Sequence, residues 1–273
     1  MRIVDIKGGF GNQLFQYAFA LNLQRQGHRV YAYFSKGYKD NEKTNSYSEK
    51  REIIIKSKDF RIKKLNKTFY YLLELFKKIP LINNKFYEII FEEEYNVNYK
   101  FKAVTSLNGF WQDLTIVENI LDELKQVFLT KKILSKDKKN RTLVQVRRGD
   151  FLLMNKDLKI SFYKESLLKI DNDISKIDFD VVTDDVEWVK SQKLFSYAKN
   201  IYPPSDNKKD VLELFKHMLK YKNFIVGNST FCLWAALISS STDSKVIIEK
   251  KFSEDIRLIE TVNFSKWLVI KNS

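Results

Sequence analysis

Arg2-Ile3-Val4-Asp5-Ile6-Lys7-Gly8-Gly9-Phe10-Gly11-Asn12-Gln13-Leu14-Phe15-Gln16-Tyr17-Ala18 is the stretch on which the reading of the fold turns. A short β-branched run breaks at a cluster of glycines, and an apolar-rich helical segment follows from Asn12 to Gln26, closed by Gly27. Arg29 to Phe34 then reads as a second strand. Strand, tight turn, helix and strand make a βαβ start, which predicts an α/β protein built on parallel sheet.

A second set begins at Thr142-Leu143-Val144-Gln145-Val146 and continues with strands near 179–182, 199–202, 224–226 and 245–248. Helical stretches intervene around 161–170, 186–195, 210–221 and 230–238. Residues 35–100 are less regular. The polar, lysine-rich cluster from Lys131 to Arg141 stands just before a fresh strand and is the expected linker, which divides the chain into domains at 1–138 and 139–273.

Composition narrows the chemistry. With 44% apolar residues in 273, the chain can bury real cores. A single cysteine, Cys232, excludes an internal disulfide, and with two histidines, His28 and His217, a zinc centre or Ser-His chemistry is not expected. No signal-like leader or membrane-length apolar run is legible, so the expected location is the cytoplasm, with peripheral contact at the inner face of the membrane. The net charge of +14 calls for an anionic partner: nucleic acid, a phosphorylated small molecule or a membrane surface.

Three strand ends and one turn carry candidate chemistry. The turn from Gly8 to Asn12 departs from a dinucleotide fingerprint, because Leu14 stands where a third glycine belongs and Ser35 follows the second strand in place of an acid. It is either a bare strand-to-helix turn or a site where the amides of Asn12 and Gln13 meet sugar hydroxyls. Arg147 and Arg148 leave the sheet at the edge where open α/β sheets bind ligands, and a guanidinium can neutralise a diphosphate without a metal. The alternative is a surface pair between Arg148 and Asp150. Thr183-Asp184-Asp185 offers carboxylates for the donors of guanine, or a helix cap. Asn228-Ser229-Thr230-Phe231 places small hydroxyls at a helix start, suited to an anion or to plain capping. Two D-x-D triplets, Asp171-Asn172-Asp173 and Asp178-Phe179-Asp180, read as solvated turns and not as metal ligands.

Taken in order, these blocks resemble those of the bacterial α1,2-fucosyltransferases, glycosyltransferase family 11, whose members carry G-G-x-G-N-Q, H-x-R-R-G-D, S/T-D-D and N-S-T-F. Gly109-Phe110-Trp111-Gln112 resembles the family's G-Y-F-Q. The resemblance spans residues 1 to about 240. It implies a GT-B fold, two Rossmann-like domains facing across a cleft, with the last helix packing back on the first domain. It implies GDP-fucose as donor, an oligosaccharide or lipid-linked glycan as acceptor, inversion at the anomeric carbon, and no metal cofactor. By the same resemblance Arg147 and Asn12 are catalytic. Gly9, Gly11, Gln145, Arg148, Asp150, Thr183, Asp184, Asp185, Asn228, Ser229, Thr230 and Phe231 bind the donor, with Asp184 reading guanine. Gln13, Trp111 and Gln112 meet the acceptor. One departure stands out: Gln145 occupies the place of the family's histidine.

Two other readings compete. A GT-B transferase using another nucleotide sugar would need the same arginines. A nucleic-acid-binding protein would use the basic, aromatic-interleaved stretches 56–78 and 85–102, yet leaves the ordered strand-end blocks unexplained; these stretches fit an anionic membrane better.

Overall fold

The computed structural model describes residues 1–34, 53–55, 62–76, 86–96, 98–128, 139–203 and 208–272. The chain divides into two compact units, one running to Ile120 and the other starting at Leu121.

In the first unit β1 (Arg2–Ile6), β2 (Val30–Phe34), β3 (Lys63–Lys64), β4 (Tyr87–Phe91) and β5 (Val104–Asn108) form a sheet of order β3-β2-β1-β5-β4. All pairs are parallel, with Val4 opposite both Ala32 and Leu107. Helix α1 (Phe10–Arg25) connects β1 to β2 and is buried nearly all round, as its apolar sequence demands. Helix α2 (Lys67–Phe76) brings Leu73 and Tyr70 to a cluster with Ile3, Leu65 and Tyr87 on the sheet. Both β4 and β5 lie in or just after the stretch that looked irregular in sequence.

The second unit holds β6 (Lys139–Val146), β7 (Phe179–Thr183), β8 (Ile201–Tyr202), β9 (Tyr221–Ile225), β10 (Val246–Glu249) and β11 (Leu268–Ile270), ordered β11-β10-β9-β6-β7-β8 and again parallel throughout. Counted from β6, this is the doubly wound order 6-5-4-1-2-3, with its reversal between β6 and β9. Its core joins Val144, Val146, Phe179, Val181 and Ile225 to Phe162 and Leu167 of the Ile160–Ile170 helix. Two Rossmann-like units are the components of the GT-B architecture expected from the sequence.

One boundary differs from expectation. The division falls inside helix α3 (Leu114–Phe128), not at 138/139, because Leu114, Val117, Leu121 and Leu124 recur at helical spacing and bury one face. Most of the cluster expected as linker, 131–138, lies outside the described residues. After the short Lys250–Asp255 helix the last described element is strand β11. It pairs with β10 through Leu268, Val269 and Ile270, a β-branched and apolar triplet suited to a strand.

Candidate active site

Parallel sheets gather functional residues at their carboxyl edge, beside the point where strand order reverses. In the second unit that point lies between β6 and β9. Gln145, the next-to-last residue of β6, is 5% exposed, and Gly227 (φ 57°) follows β9. A Cβ on Gly227 would stand 2.9 Å from the Gln145 carbonyl oxygen, so only glycine allows the two strand ends to approach this closely. Gln145 Oε1 and Asn228 Oδ1 are both buried and accept no hydrogen bond among the described residues, while Asn228 Nδ2 donates to Lys156 O at 2.8 Å. Buried carbonyls without donors are costly and point to a donor supplied by a ligand or water.

The two arginines have different surroundings. Arg147 Nη2 donates to Asp150 Oδ1 at 2.6 Å, and Nη1 stands 2.6 Å from Asp184 Oδ2, an ion pair whose angle falls outside hydrogen-bond alignment. Arg148 is bound more thoroughly. Its Nε meets Asp185 Oδ2 at 3.1 Å, Nη1 meets Asp157 Oδ2 at 3.2 Å, and the guanidinium lies 4.0 Å over the Trp188 ring. Such stacking adds about 0.5–2 kcal/mol. Near Arg148, burial pushes the Tyr163 phenol up, so it is a neutral hydroxyl at any working pH.

At the end of β7 the acids divide their work. Asp184 Oδ1 accepts from the Arg148 backbone N–H at 2.7 Å while Oδ2 faces Arg147. Asp185 caps the Val186–Ser191 helix through Trp188 N at 3.0 Å, and Thr183 Oγ1 accepts from Asp185 N at 2.9 Å. The capping role therefore belongs to Asp185. Asp184, expected to read guanine, here faces Arg147.

Ser229 stands at the N-cap of the Thr230–Ser239 helix, and its side chain makes no capping hydrogen bond among the described residues. Phe231 packs its ring 5.5 Å from Phe215.

In the first unit the reversal lies between β1 and β5. Gly9 caps α1, Gly11 is buried in its first turn, and Asn12 Oδ1 accepts from Gln112 Nε2 at 3.1 Å, so two expected site residues that follow the carboxyl ends of neighbouring strands meet. Gln13 and Trp111 do not come to a surface. Gln13, fully buried, donates to Gly8 O and accepts from Ile54 N at 2.8 Å; it ties two backbone segments together. Trp111 is 2% exposed and stacks on Phe19 with centroids 3.9 Å apart, so an aromatic partner already covers the face a sugar would need.

Two further residues shape this edge. Glu92 accepts from Phe110 N at 2.8 Å and Gln112 N at 3.1 Å, and Gln16 accepts from Lys7 N at 2.8 Å while donating to Gly109 O at 3.0 Å. Sequence reading passed over both. Gln16 stood inside a quoted block, and its amide in an apolar helix was the available signal; Glu92 had none. The D-x-D acids are engaged elsewhere: Asp178 and Asp180 bind Arg141 at the opposite, amino end of the sheet, and Asp173 caps a short turn.

The profile of Glycosyl transferase family 11 matches residues 1–271. The chain belongs to that family. It is therefore a glycosyltransferase. It is 26% identical over 269 residues to an α-1,2-colitosyltransferase of Escherichia coli, covering 87% of each chain. It is 25% identical over 298 residues to the O-antigen biosynthesis glycosyltransferase WbnK of Escherichia coli, covering 90% of this chain and 93% of that one. Among solved structures, WaaG, a glycosyltransferase involved in lipopolysaccharide biosynthesis, aligns over 99% of this chain and 86% of its own at 11% identity and a TM-score of 0.38. The fold assignment rests on the two sheets themselves.

Proposed function

We propose that this family 11 enzyme is an inverting α1,2-fucosyltransferase that moves L-fucose from GDP-fucose to a galactose-type hydroxyl of a bacterial surface glycan. The observation that carries the reading is Arg147, held between Asp150 and Asp184 at the strand-order reversal of the second unit. A guanidinium fixed there stabilises the charge that develops on a departing nucleoside diphosphate, and it does so without a metal. The unpaired carbonyls of Gln145 and Asn228, with Ser229, stand ready for donor hydroxyls and phosphate. Asn12 and Gln112 orient the acceptor hydroxyl or the fucose ring.

Fucose lacks a 6-hydroxyl and tolerates oxocarbenium character, so the transition state is loose: the diphosphate departs before the acceptor hydroxyl is appreciably deprotonated. The name of one bacterial relative, an O-antigen biosynthesis glycosyltransferase, supports O-antigen assembly as the setting, with a cytoplasmic enzyme meeting a lipid-linked acceptor and no nucleic acid. Peripheral contact with an anionic membrane is supported by Phe69, Tyr71, Leu72 and Leu75, all exposed on α2, together with the net positive charge. Among the described residues no helix is long and apolar enough to cross a membrane.

One relative's name favours a second reading, colitose in place of fucose. The deciding experiment incubates the protein with GDP-fucose, GDP-colitose or UDP-sugars and a panel of galactose-terminated oligosaccharides, followed by linkage analysis. Fucosylation at O2, undiminished in excess EDTA, is expected. Transfer of colitose alone, or loss of activity on chelation with recovery on Mn²⁺, would replace the reading.

A further inference from the structure

A second polar feature lies on the sheet of the first unit, outside the residues discussed above. Asp5 of β1, Tyr33 of β2, Ile89 of β4, Ser106 and Asn108 of β5 and Tyr70 of α2 line a cavity of about 60 Å³. Asp5 pairs with Tyr33 in the register, next to the last residue of each strand, so these two residues lie toward the carboxyl edge. Its floor is a carboxylate in an unusual condition. Asp5 Oδ2 lies 3.2 Å from Lys7 Nζ, while Oδ1 is buried and accepts no hydrogen bond among the described residues. Lys7 also donates to Asn108 Oδ1. Tyr33 and Tyr70 stack with centroids 3.6 Å apart to form an aromatic wall.

A buried carboxylate oxygen without a donor is expensive, and the donor that would satisfy it is a hydroxyl or a water. A nucleoside diphosphate is unsuited, since it would set anion against anion; the second unit offers arginines for that purpose. Carboxylate, amide and aromatic wall together are the groups that hold neutral, hydroxyl-rich ligands. The volume, about that of two waters, takes the hydroxymethyl arm or one ring edge of a sugar and not a whole pyranose.

The geometry points to Asp5 as an acceptor-binding residue: its Oδ1 takes a hydrogen bond from a hydroxyl of the terminal galactoside, whose exocyclic arm enters this cavity. The inference rests on the transferase reading for the nature of its ligand and is independent of which sugar the donor carries. It also gives Asp5, which looks misplaced when read as one more residue inside a strand, a definite task.

The test is saturation-transfer NMR with lactose, alongside calorimetry with GDP, on wild type, Asp5→Asn and Ser106→Val. Asn keeps the shape of Asp5 but loses the charge-assisted bond; Val narrows the cavity and leaves Asp5 in place. Lactose affinity should fall about tenfold or more in both variants, with GDP affinity unchanged within about twofold. If circular dichroism shows Asp5→Asn unfolded, Ser106→Val decides. Unaltered lactose binding in the folded variants, a parallel loss of GDP binding, or no saturation transfer from wild type to lactose would overturn the inference. Fucose transfer to lactose, assayed separately, judges the donor reading: wild type that binds lactose yet transfers no fucose sinks that reading alone.

Discussion

Arg147 and Arg148 are neighbours in sequence with unequal tasks. Arg148 spends its donors on Asp185 and Asp157 and its face on Trp188, whereas Arg147 is held by two carboxylates at an edge where it remains 22% exposed. Arg147→Ala should lower turnover by about 10²–10³, the range for a lost transition-state donor. Arg147→Lys should fare little better, because a point charge cannot keep both carboxylates and a phosphate in register. Near wild-type steady-state rates in Arg147→Lys would remove the assignment. Asp184 and Asp185 separate in the same way. Asp185→Ala should cost about 1 kcal/mol of stability as a lost helix cap, read by urea unfolding. Asp184→Asn should depress turnover through Arg147 while leaving the preference for GDP over UDP intact in calorimetry. A collapse of that preference would restore Asp184 as the guanine reader. The motif blocks made these residues visible; which acid caps and which one holds an arginine depends on side-chain directions that spacing does not carry.

Among the elements, α1 does more than pack. Its Gln13 and Gln16 are fully buried, and each bridges backbone groups from different segments: Gln13 joins Gly8 to Ile54, Gln16 joins Lys7 to Gly109. The helix thereby sets the spacing between the turn after β1 and the loop after β5, where Asn12 and Gln112 meet. Gln16→Ala would leave a part-buried N–H and a part-buried carbonyl unsatisfied, a loss of about 1–3 kcal/mol. Chemical denaturation measures it directly, and a change under about 0.5 kcal/mol, the level of an ordinary surface substitution, would show that the tether is slack. Strand β4 escaped sequence reading because neither glycine nor proline bounds it and it runs straight into three glutamates, and β5 because only Gly109, at its carboxyl end, marks it.

For the molecule as a whole, both histidines titrate below their ordinary value. Burial leads the shift of His28, with Arg2 and the amino terminus adding to it, and burial leads that of His217, with Lys220 and Arg141 adding to it. The unfolded chain therefore binds more protons just below pH ~6.5, and stability falls as the pH drops from there through the folded values. Carboxylates such as Asp178, held low by Arg141 and Lys199 against its burial, act only in more acid solution. Urea unfolding at pH ~7.5 and ~5.5 should show the lower stability at the acid value, and the double variant His28→Gln/His217→Gln should shrink the difference to the part carried by the Met1 amino group, which burial also holds below its ordinary value. An equal drop in the double variant would place the titration on other groups.

The sequence by itself determined the α/β class, the βαβ start and the strand ends from which functional side chains emerge. These follow from local periodicity and from glycine at turns, which act over a few residues. Only the tertiary structure decided the strand order that brings the end of β6 to the end of β9 and the end of β1 to the end of β5. It also turned Gln13 and Trp111 inward, gave Asp185 the helix cap, and set Asp5 against a cavity. The reason is physical: burial and hydrogen-bond partnership arise between segments that lie up to a hundred residues apart, and no pattern within either segment records which partner it will meet.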